Sequence, residues 1–320
     1  MLWYVARRLA GTVGLLVAVV VITFGLIALA PGDAAQVLAG QAGDAQYLAE
    51  LRGQLGLDRS LGYQIGSYLL AVARGDLGFS IVQGQPVLDV ITGRLGATLL
   101  LGGTSLTIAV LGGVYLGVVA AAQRGSRLDT GISLASLIGY SMPVFWLGQL
   151  LVALLAVRLD LLPAGGMTSA GEQLGAFERV LDVLRHLILP AATLSVLLMA
   201  LVVRTTRAAM LDVLEEEYVT AARGRGIREG AVLFRHALRN ALRPVITVVT
   251  AELGVLLSMM VLIEAVFSWP GLGTLLLDSV LSRDTPTLVG LLLFSSFLVA
   301  GANLLGDLLY MWVDPRVRLR

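Results

Sequence analysis

Three long runs without a single charged residue restrict what this chain can fold into. They extend from Leu9 to Gly32, from Leu95 to Gln123 and from Thr130 to Val157. Each run exceeds the roughly 20 residues that an α-helix needs to cross about 30 Å of hydrocarbon. The bilayer interior has no water to hydrogen-bond with the backbone, so such runs must satisfy their N–H and C=O groups internally, as an α-helix does. The sequence therefore predicts a helical membrane protein.

Three further apolar segments complete a predicted set of six. The fourth is free of charge only from Leu187 to Val203, and the fifth carries Glu252 and Glu264. We place Glu264 near the outer end of its segment, where its carboxylate reaches water. The predicted fold is all-α and polytopic, with six transmembrane helices at about 9–30, 97–122, 131–157, 187–206, 245–266 and 286–310.

The first apolar run has an alternative interpretation as a signal peptide. Ala28-Leu29-Ala30 resembles a cleavage site. The run is longer than the 7–15 apolar residues of a signal core, however, and Pro31 would follow the cut. The length favours a retained membrane helix.

Composition excludes several classes of site. Charged residues make up 14% of the chain and mean hydropathy is +0.85, whereas soluble proteins carry about 25% charged residues. There is no cysteine, and His186 and His236 are too far apart in sequence to suggest a metal site. All basic residues are arginine, and a P-loop needs a lysine to reach nucleotide phosphates. We expect neither a catalytic residue nor a bound metal in this chain.

Arginine placement predicts the orientation, because positively charged loops stay on the cytoplasmic side. With the N-terminus inside, fifteen of the 23 arginines lie in inner segments and eight lie outside. Both termini are then cytoplasmic. The outer loops are 31–96, 158–186 and a short loop from Trp269 to Thr285.

The inner segment 209–243 is unusually polar for its place between two apolar runs. We predict short helices from Glu217 to Arg223 and from Glu229 to Leu242, with Gly224 and Gly226 allowing a turn between them. The simplest purpose of such a segment is to dock another protein. An amphipathic helix that holds anionic lipid through its arginines is the alternative.

An ordered set of short motifs runs along nearly the whole chain. The motifs are PGD at 31–33, LGLD at 55–58, GDLGFS at 75–80, SMPVFW at 141–146, LILP at 187–190, the segment 218–226, HALRNAL at 236–242, PGLG at 270–273 and DPR at 314–316. With this set the chain resembles inner-membrane permeases of the dipeptide/oligopeptide/nickel family of ABC importers, of the peptide-permease B type. The resemblance implies a type I importer permease fold and a second, homologous permease subunit. It further implies two cytoplasmic ATPases, which bind ATP and Mg, and an extracytoplasmic solute-binding protein.

The same resemblance identifies a candidate coupling loop. ABC permeases carry a motif of Glu-Ala-Ala, three residues and Gly, which matches Thr220, Ala221, Ala222 and Gly226 here. Threonine replaces the glutamate, so the first polar contact with an ATPase stays open between Glu217 and Arg223. The expected contact set is Glu217, Tyr218, Thr220, Ala221, Ala222, Arg223 and Gly226.

Polar and helix-breaking residues inside the spans are candidates for the translocation path. Glu252 is placed at membrane depth, where a carboxylate is costly and faces protein or a water-filled cavity. A structural partner and a pathway position are both open for it. Ser141 and Pro143 are the other possible pathway residues, because proline removes a helix hydrogen bond. Gly113 and Gly117 form a GxxxG pattern that permits close helix packing.

These features predict three regions. They are an N-terminal segment with the first membrane helix at 1–30, an extracytoplasmic loop subdomain at 31–96 and a core permease domain at 97–320. The outer loop should contain amphipathic helices at Ala45–Leu55 and Tyr63–Ala73, acting either as a docking site for the binding protein or as a structural cap.

The expected function is that of a permease subunit in an ATP-driven importer of peptides or similar small solutes. Such a subunit forms half of a path and couples it to ATPases. An ion-coupled secondary transporter is the alternative, although no internal repeat typical of that class is evident.

Overall fold

A computed structural model of the chain describes residues 2–30, 32, 34–39, 44–54, 56–169, 171 and 175–313. The described residues are mainly helical. The helices are α1 (Leu2–Leu29), α2 (Ala34–Ala39), α3 (Ala45–Gln54), α4 (Leu61–Ala73), α5 (Val87–Ala122), α6 (Arg127–Ser141), α7 (Val144–Leu151), α8 (Ala176–Leu214), α9 (Glu217–Gly224), α10 (Glu229–Ala231), α11 (Leu238–Val266), α12 (Leu272–Leu281) and α13 (Thr285–Val313). Two π-helical segments, Val152–Arg158 and Val232–Ala237, follow α7 and α10.

Five of the described helical stretches are long and apolar enough to cross a membrane, and a bent pair makes up to six. The third predicted span, 131–157, is present as a bent pair of helices rather than as one helix. The chain bends by 106° between α6 and the helix that begins at Val144. Met142 and Pro143 are both extended there, with ψ of 134° and 125°. Proline lacks an amide hydrogen and disfavours helical geometry in the residue before it.

Other spans also belong to longer helices than predicted, and the second is part of the 36-residue α5 where 97–122 was expected. Helix α8 has 39 residues, about 58 Å at 1.5 Å per residue, where 187–206 was expected. The fifth span is continuous from Glu229 to Val266. An apolar segment ends at the first charged residue, but a charged residue does not interrupt the backbone hydrogen bonds of a helix. These helices therefore continue past the apolar segments.

The chain divides into two compact units, Met1–Gly96 with Gly271–Gly301, and Ala97–Pro270 with Ala302–Arg320. The division into 1–30, 31–96 and 97–320 stays a prediction.

The first unit is built around the buried faces of α1, α12 and the first turns of α5 and α13. Val20, Ile91, Leu275 and Leu291 are among its core residues. A two-stranded antiparallel hairpin, β1 (Phe79–Ser80) with β2 (Gln85–Pro86), precedes α5.

The two helices predicted in the outer loop are present as α3 and α4, and the packed apolar face is confirmed for α4. Ile65, Leu69 and Val72 of α4 pack against the core of the first unit, as their spacing predicted. Helix α3 has no buried residue. Leu55 and the C-terminal motif 314–316 lie outside the described residues.

The second unit has α8 at its centre, packed against α6, α7 and α11. Trp269 is fully buried and its indole nitrogen donates to the carbonyl oxygen of Ala97 at 2.9 Å. Glu264 is also fully buried and accepts a hydrogen bond from Thr98 at 2.7 Å. The expectation that Glu264 reaches water is therefore wrong, because helix packing covers it.

Close packing of α5 on α8 depends on the GxxxG glycines. A Cβ at Gly113 would lie 2.7 Å from Cβ of Val202, and one at Gly117 would lie 2.6 Å from Cβ of Thr206. Real Cβ atoms do not approach so closely, so larger residues here would push the helices apart.

We expect Gly117→Ala to destabilise the protein by about 1–3 kcal/mol through overpacking. Gly112→Ala is the matched control, because its Cβ would meet Met199 at an ordinary 3.6 Å. A thermal-shift measurement in detergent should show a lower Tm for Gly117→Ala and an unchanged or higher Tm for the control, since alanine favours helices. Equal melting temperatures would contradict this account of the α5–α8 contact.

Candidate coupling surface and pathway residues

The candidate coupling loop connects two of the long helices. After α8 ends at Leu214, α9 runs from Glu217 to Gly224, and a short turn leads to Glu229. Gly224 is the last residue of α9, so the turn depends on Gly226 rather than on both predicted glycines. The helix predicted at Glu229–Leu242 is not a separate element, because it runs without a break into the fifth span.

A small apolar cluster holds α9 in place. Val219 and Ala222 of α9 are buried together with Val232 of the following π-helical segment. Val213, Leu214 and Ile227 pack around them. The cluster joins the end of α8 to the start of the continuous helix that begins at Glu229.

The predicted contact residues divide between two faces of α9. Ala222 points into the apolar cluster and is 5% exposed. The others lie on the accessible side of the described chain: Glu217, Tyr218, Thr220, Ala221, Arg223 and Gly226. The structure thus brings six of the seven onto one accessible segment and gives Ala222 an internal packing role.

Two polar contacts reinforce the position of α9. Arg223 forms an ion pair with Glu229 across the turn, with Nη2 and Oε1 2.8 Å apart. Hydrogen bonding to Glu229 raises the pKa of Arg223. The Asn240 amide donates to the Tyr218 hydroxyl at 2.8 Å, which links α9 to the first turn of α11. Exposed pairs contribute little each, so these contacts set orientation more than stability.

Gly226 makes the turn between α9 and Glu229 possible. Its φ is +73°, and no atom lies within 4 Å of a Cβ built on it. This left-handed conformation costs other L-residues roughly 1–2 kcal/mol, apart from Asn and Asp. The constraint at this position is conformational rather than steric.

Sequence reasoning missed a second polar anchor near the loop. Arg207 of α8 donates to both oxygens of Asp129, at 2.6 and 2.8 Å. Asp129 is 4% exposed and also accepts from the Gly125 amide. Ser126 caps α6 by accepting from the Asp129 amide. A Ser-x-x-Asp pattern is a recognisable helix-start signal that could have located this site.

The structure brings the three pathway candidates, Glu252, Ser141 and Pro143, only partly together. Glu252 lies at the centre of α11 and lines a small apolar pocket with Val144, the residue after Pro143. Pro143 itself is exposed and lies within the bend, and the Ser141 hydroxyl donates to the Leu137 carbonyl. Glu252 is half-buried and makes no hydrogen bond or ion pair within the described part of the chain. No cluster of described residues has the donors to hold a metal ion.

Comparison with known families identifies the chain. Residues 113–319 match the model of the binding-protein-dependent transport system inner membrane component, and residues 1–102 match the N-terminal membrane component of the same system. The chain belongs to this family. Its fold is that of a type I ABC importer permease, as the resemblance implied, and family membership gives no support to an ion-coupled secondary transporter.

Curated relatives of similar length support the same assignment. The chain is 38% identical to the dipeptide transport system permease protein DppB of Escherichia coli K12, over 99% of both chains. It is 41% identical to the di/tripeptide transport system permease protein DppB of Pseudomonas aeruginosa, again over 99% of both chains. It is 39% identical to the glutathione transport system permease protein GsiC of E. coli O6:H1, over the full length of both chains.

A solved structure supports the fold. A chain of the inward-facing MetNI methionine ABC transporter superposes with a TM-score of 0.57. The superposition covers 71% of this chain and 97% of that one at 18% identity. The permease is thus a multi-pass membrane protein of the ABC importer class.

We expect Gly226→Pro to release α9 from its cluster, because proline cannot adopt a positive φ. Gly226→Asn should retain the turn, since asparagine tolerates that conformation. Limited trypsin digestion of the detergent-solubilised permease reports the change through cleavage after Arg223, because trypsin does not cleave after Arg225 once proline follows it. Cleavage should be about tenfold faster or more in Gly226→Pro, as expected for a loss above roughly 1.4 kcal/mol. Equal protection of the two variants would contradict the role of Gly226.

Proposed function

We propose that this permease forms half of the translocation path of an ATP-driven importer for peptides. A second homologous permease forms the other half, two cytoplasmic ATPases bind ATP and Mg, and a solute-binding protein delivers cargo from outside. The permease itself has no ATPase site, since its sequence lacks the lysine of a P-loop. The cargo class is supported by the names of the relatives, which transport dipeptides, di/tripeptides and glutathione.

The observation that carries the coupling role is the bracing of α9. An ATPase that contacts the exposed side of α9 would also push on Val232 through Val219 and Ala222. Val232 belongs to the helical stretch that continues into the membrane as far as Val266. Displacement of α9 is therefore passed to a membrane helix without a flexible joint. Net transport still requires that the partners bind inward- and outward-facing states with different affinity.

The proposed docking surface is the exposed side of α9 with the adjoining turn. Ala221 offers a small side chain that permits close approach, and Glu217 and Arg223 offer the polar contacts at its rim. Thr220, Tyr218 and Gly226 complete the surface. Ala222 contributes indirectly, by keeping α9 seated on its apolar cluster.

Orientation and path follow from the same proposal. Both termini lie in the cytoplasm of a bacterial cell, whose inner membrane holds the permease, and the loop 31–96 faces the binding protein. Glu252 lines the path near the bend at Pro143, with Ser141 on the adjacent end of α6. An unpaired carboxylate at the centre of a span is costly unless water or cargo reaches it.

Single cysteines test the orientation, because the natural chain has none. Asp58→Cys and Thr168→Cys, both at exposed positions, should react with an impermeant maleimide in intact cells. Gln123→Cys and Gly230→Cys, also exposed, should react only after the membrane is permeabilised. The reverse pattern would invert the proposed topology.

Ala221→Glu tests docking directly, because it adds a charged side chain to an exposed position without disturbing the cluster beneath. We expect binding-protein-stimulated ATP hydrolysis to fall by about tenfold or more, as a mispaired buried charge costs several kcal/mol. The measurement uses the complex with its binding protein and ATPases in proteoliposomes, with dipeptide uptake followed in parallel.

Two control variants make the docking experiment interpretable. Gln123→Glu places the same side chain on another exposed inner segment and should leave hydrolysis unchanged. Ala222→Glu should lower the Tm of the isolated permease, which Ala221→Glu should not. Normal stimulation in Ala221→Glu would refute docking at this surface, and binding of anionic lipid by the loop would then be the better interpretation.

A further inference from the structure

A sizeable pocket in the first unit has no role in the function proposed above. It has a cavity volume of about 340 Å³, at the lower end of the range that suits small-molecule ligands. Its walls come from α1, α4, the hairpin region and the start of α13. Its apolar lining includes Phe24, Leu57, Tyr63, Tyr68, Ile81 and Val289.

The pocket lies at one edge of the hydrocarbon layer. Phe24 is five residues from the end of α1 at Leu29, or about 8 Å along the helix axis. Thr285 and Val289 belong to the first turns of α13. Both helices are membrane spans, so this end of the pocket is at the depth of lipid acyl chains. Tyr63 and Tyr68 are of the residue type that concentrates at membrane–water interfaces.

One polar atom in the pocket lacks a partner. The Tyr68 hydroxyl is buried and forms no hydrogen bond with any residue that the structure describes. Burial, with a contribution from Asp76, raises the pKa of the Tyr68 phenol, so the group is a neutral donor. By contrast, Gln64 donates to the Arg59 carbonyl and Ser67 to the Gln64 carbonyl. A buried hydroxyl without a partner is costly, which favours an occupant with an acceptor.

A cation stands beside the pocket. The Arg59 guanidinium lies 5.2 Å from the centroid of the Tyr63 ring, which lines the pocket. Arg59 is exposed and makes no ion pair within the described ranges. Its planar fork of donors suits phosphate. The lining thus combines an apolar interior, one hydrogen-bond donor and one cation near Tyr63.

We propose that this pocket binds an anionic phospholipid, with one acyl chain among Phe24, Tyr68 and Val289 and the phosphate at Arg59. The Tyr68 hydroxyl donates to an ester carbonyl of the same lipid. A small polar solute would leave most of the lining unmatched. The site does not depend on the transport function; only the assignment to the outer leaflet rests on the orientation proposed above.

Photo-crosslinking tests the site in phosphatidylcholine nanodiscs that contain phosphatidylglycerol with a mid-chain diazirine. After irradiation and digestion, adducts should concentrate on Leu61–Ala73 and on residues 285–289. Ala71→Trp, which fills the pocket from its own wall, should reduce these adducts by about tenfold, as expected when a fitted ligand is excluded. Leu70→Trp is the matched control, since Leu70 is 55% exposed and does not line the pocket.

Two further variants test the hydrogen bond from Tyr68 and the charge of Arg59 one at a time, without filling the pocket. Tyr68→Phe should lower labelling several-fold by removing one hydrogen bond, with an unchanged Tm. Arg59→Gln should abolish the preference for phosphatidylglycerol over a diazirine phosphatidylcholine.

The proposal would be overturned by uniform labelling of all apolar helices, or by equal labelling of Ala71→Trp and Leu70→Trp. Equal labelling by both lipids in the wild type would overturn the anionic selection. Protection of the pocket by purified solute-binding protein, without lipid adducts, would assign it to that partner instead. Dipeptide uptake is measured separately, so a failure here is distinguishable from a failure of the transport function.

Discussion

The hydrocarbon interior supplies no water to backbone amides, and this constraint shapes every span of the permease. Even the bend between α6 and α7 obeys it. The Met142 amide donates to the Ile138 carbonyl, and the Leu147 amide donates to the Pro143 carbonyl, each at 3.1 Å. Hydroxyls inside the helices behave similarly, since Ser105 and Thr193 donate to carbonyls one turn earlier. The two amide hydrogen bonds at the bend pair one amide on each side of the break, which lowers the cost of a broken helix at membrane depth.

The lack of water in the hydrocarbon interior also explains why two carboxylates on α11 have different environments. Glu264 is fully buried and bonded to Thr98, as a structural polar group must be. Glu252 precedes it by twelve residues, which places the two about 120° apart around the helix. It faces a small pocket beside the bend and has no partner within the described part of the chain. Only the second arrangement leaves a charge available for water or cargo.

The rigid transmission that we propose rests on the small cluster beneath α9. Val219, Ala222 and Val232 pack one short helix against the start of a long one. Hydrophobic contact alone would permit sliding, and the Tyr218–Asn240 and Arg223–Glu229 contacts fix the register. The π-helical segment that follows adds a turn of altered geometry at this junction. Such segments often occur where a helix serves a function.

Sequence alone determined the class of protein, the membrane segments and the amphipathic helices of the outer loop, because apolar length and spacing are local properties. It also predicted a coupling loop at 209–243 through motif resemblance. Tertiary structure alone decided that Ala222 faces inward, that Glu264 is buried and that Asp129 pairs with Arg207. It likewise decided that the third span bends by as much as 106° and that Glu229 begins a helix reaching Val266. These features depend on contacts between residues that are far apart in the sequence, and local residue spacing does not specify such contacts.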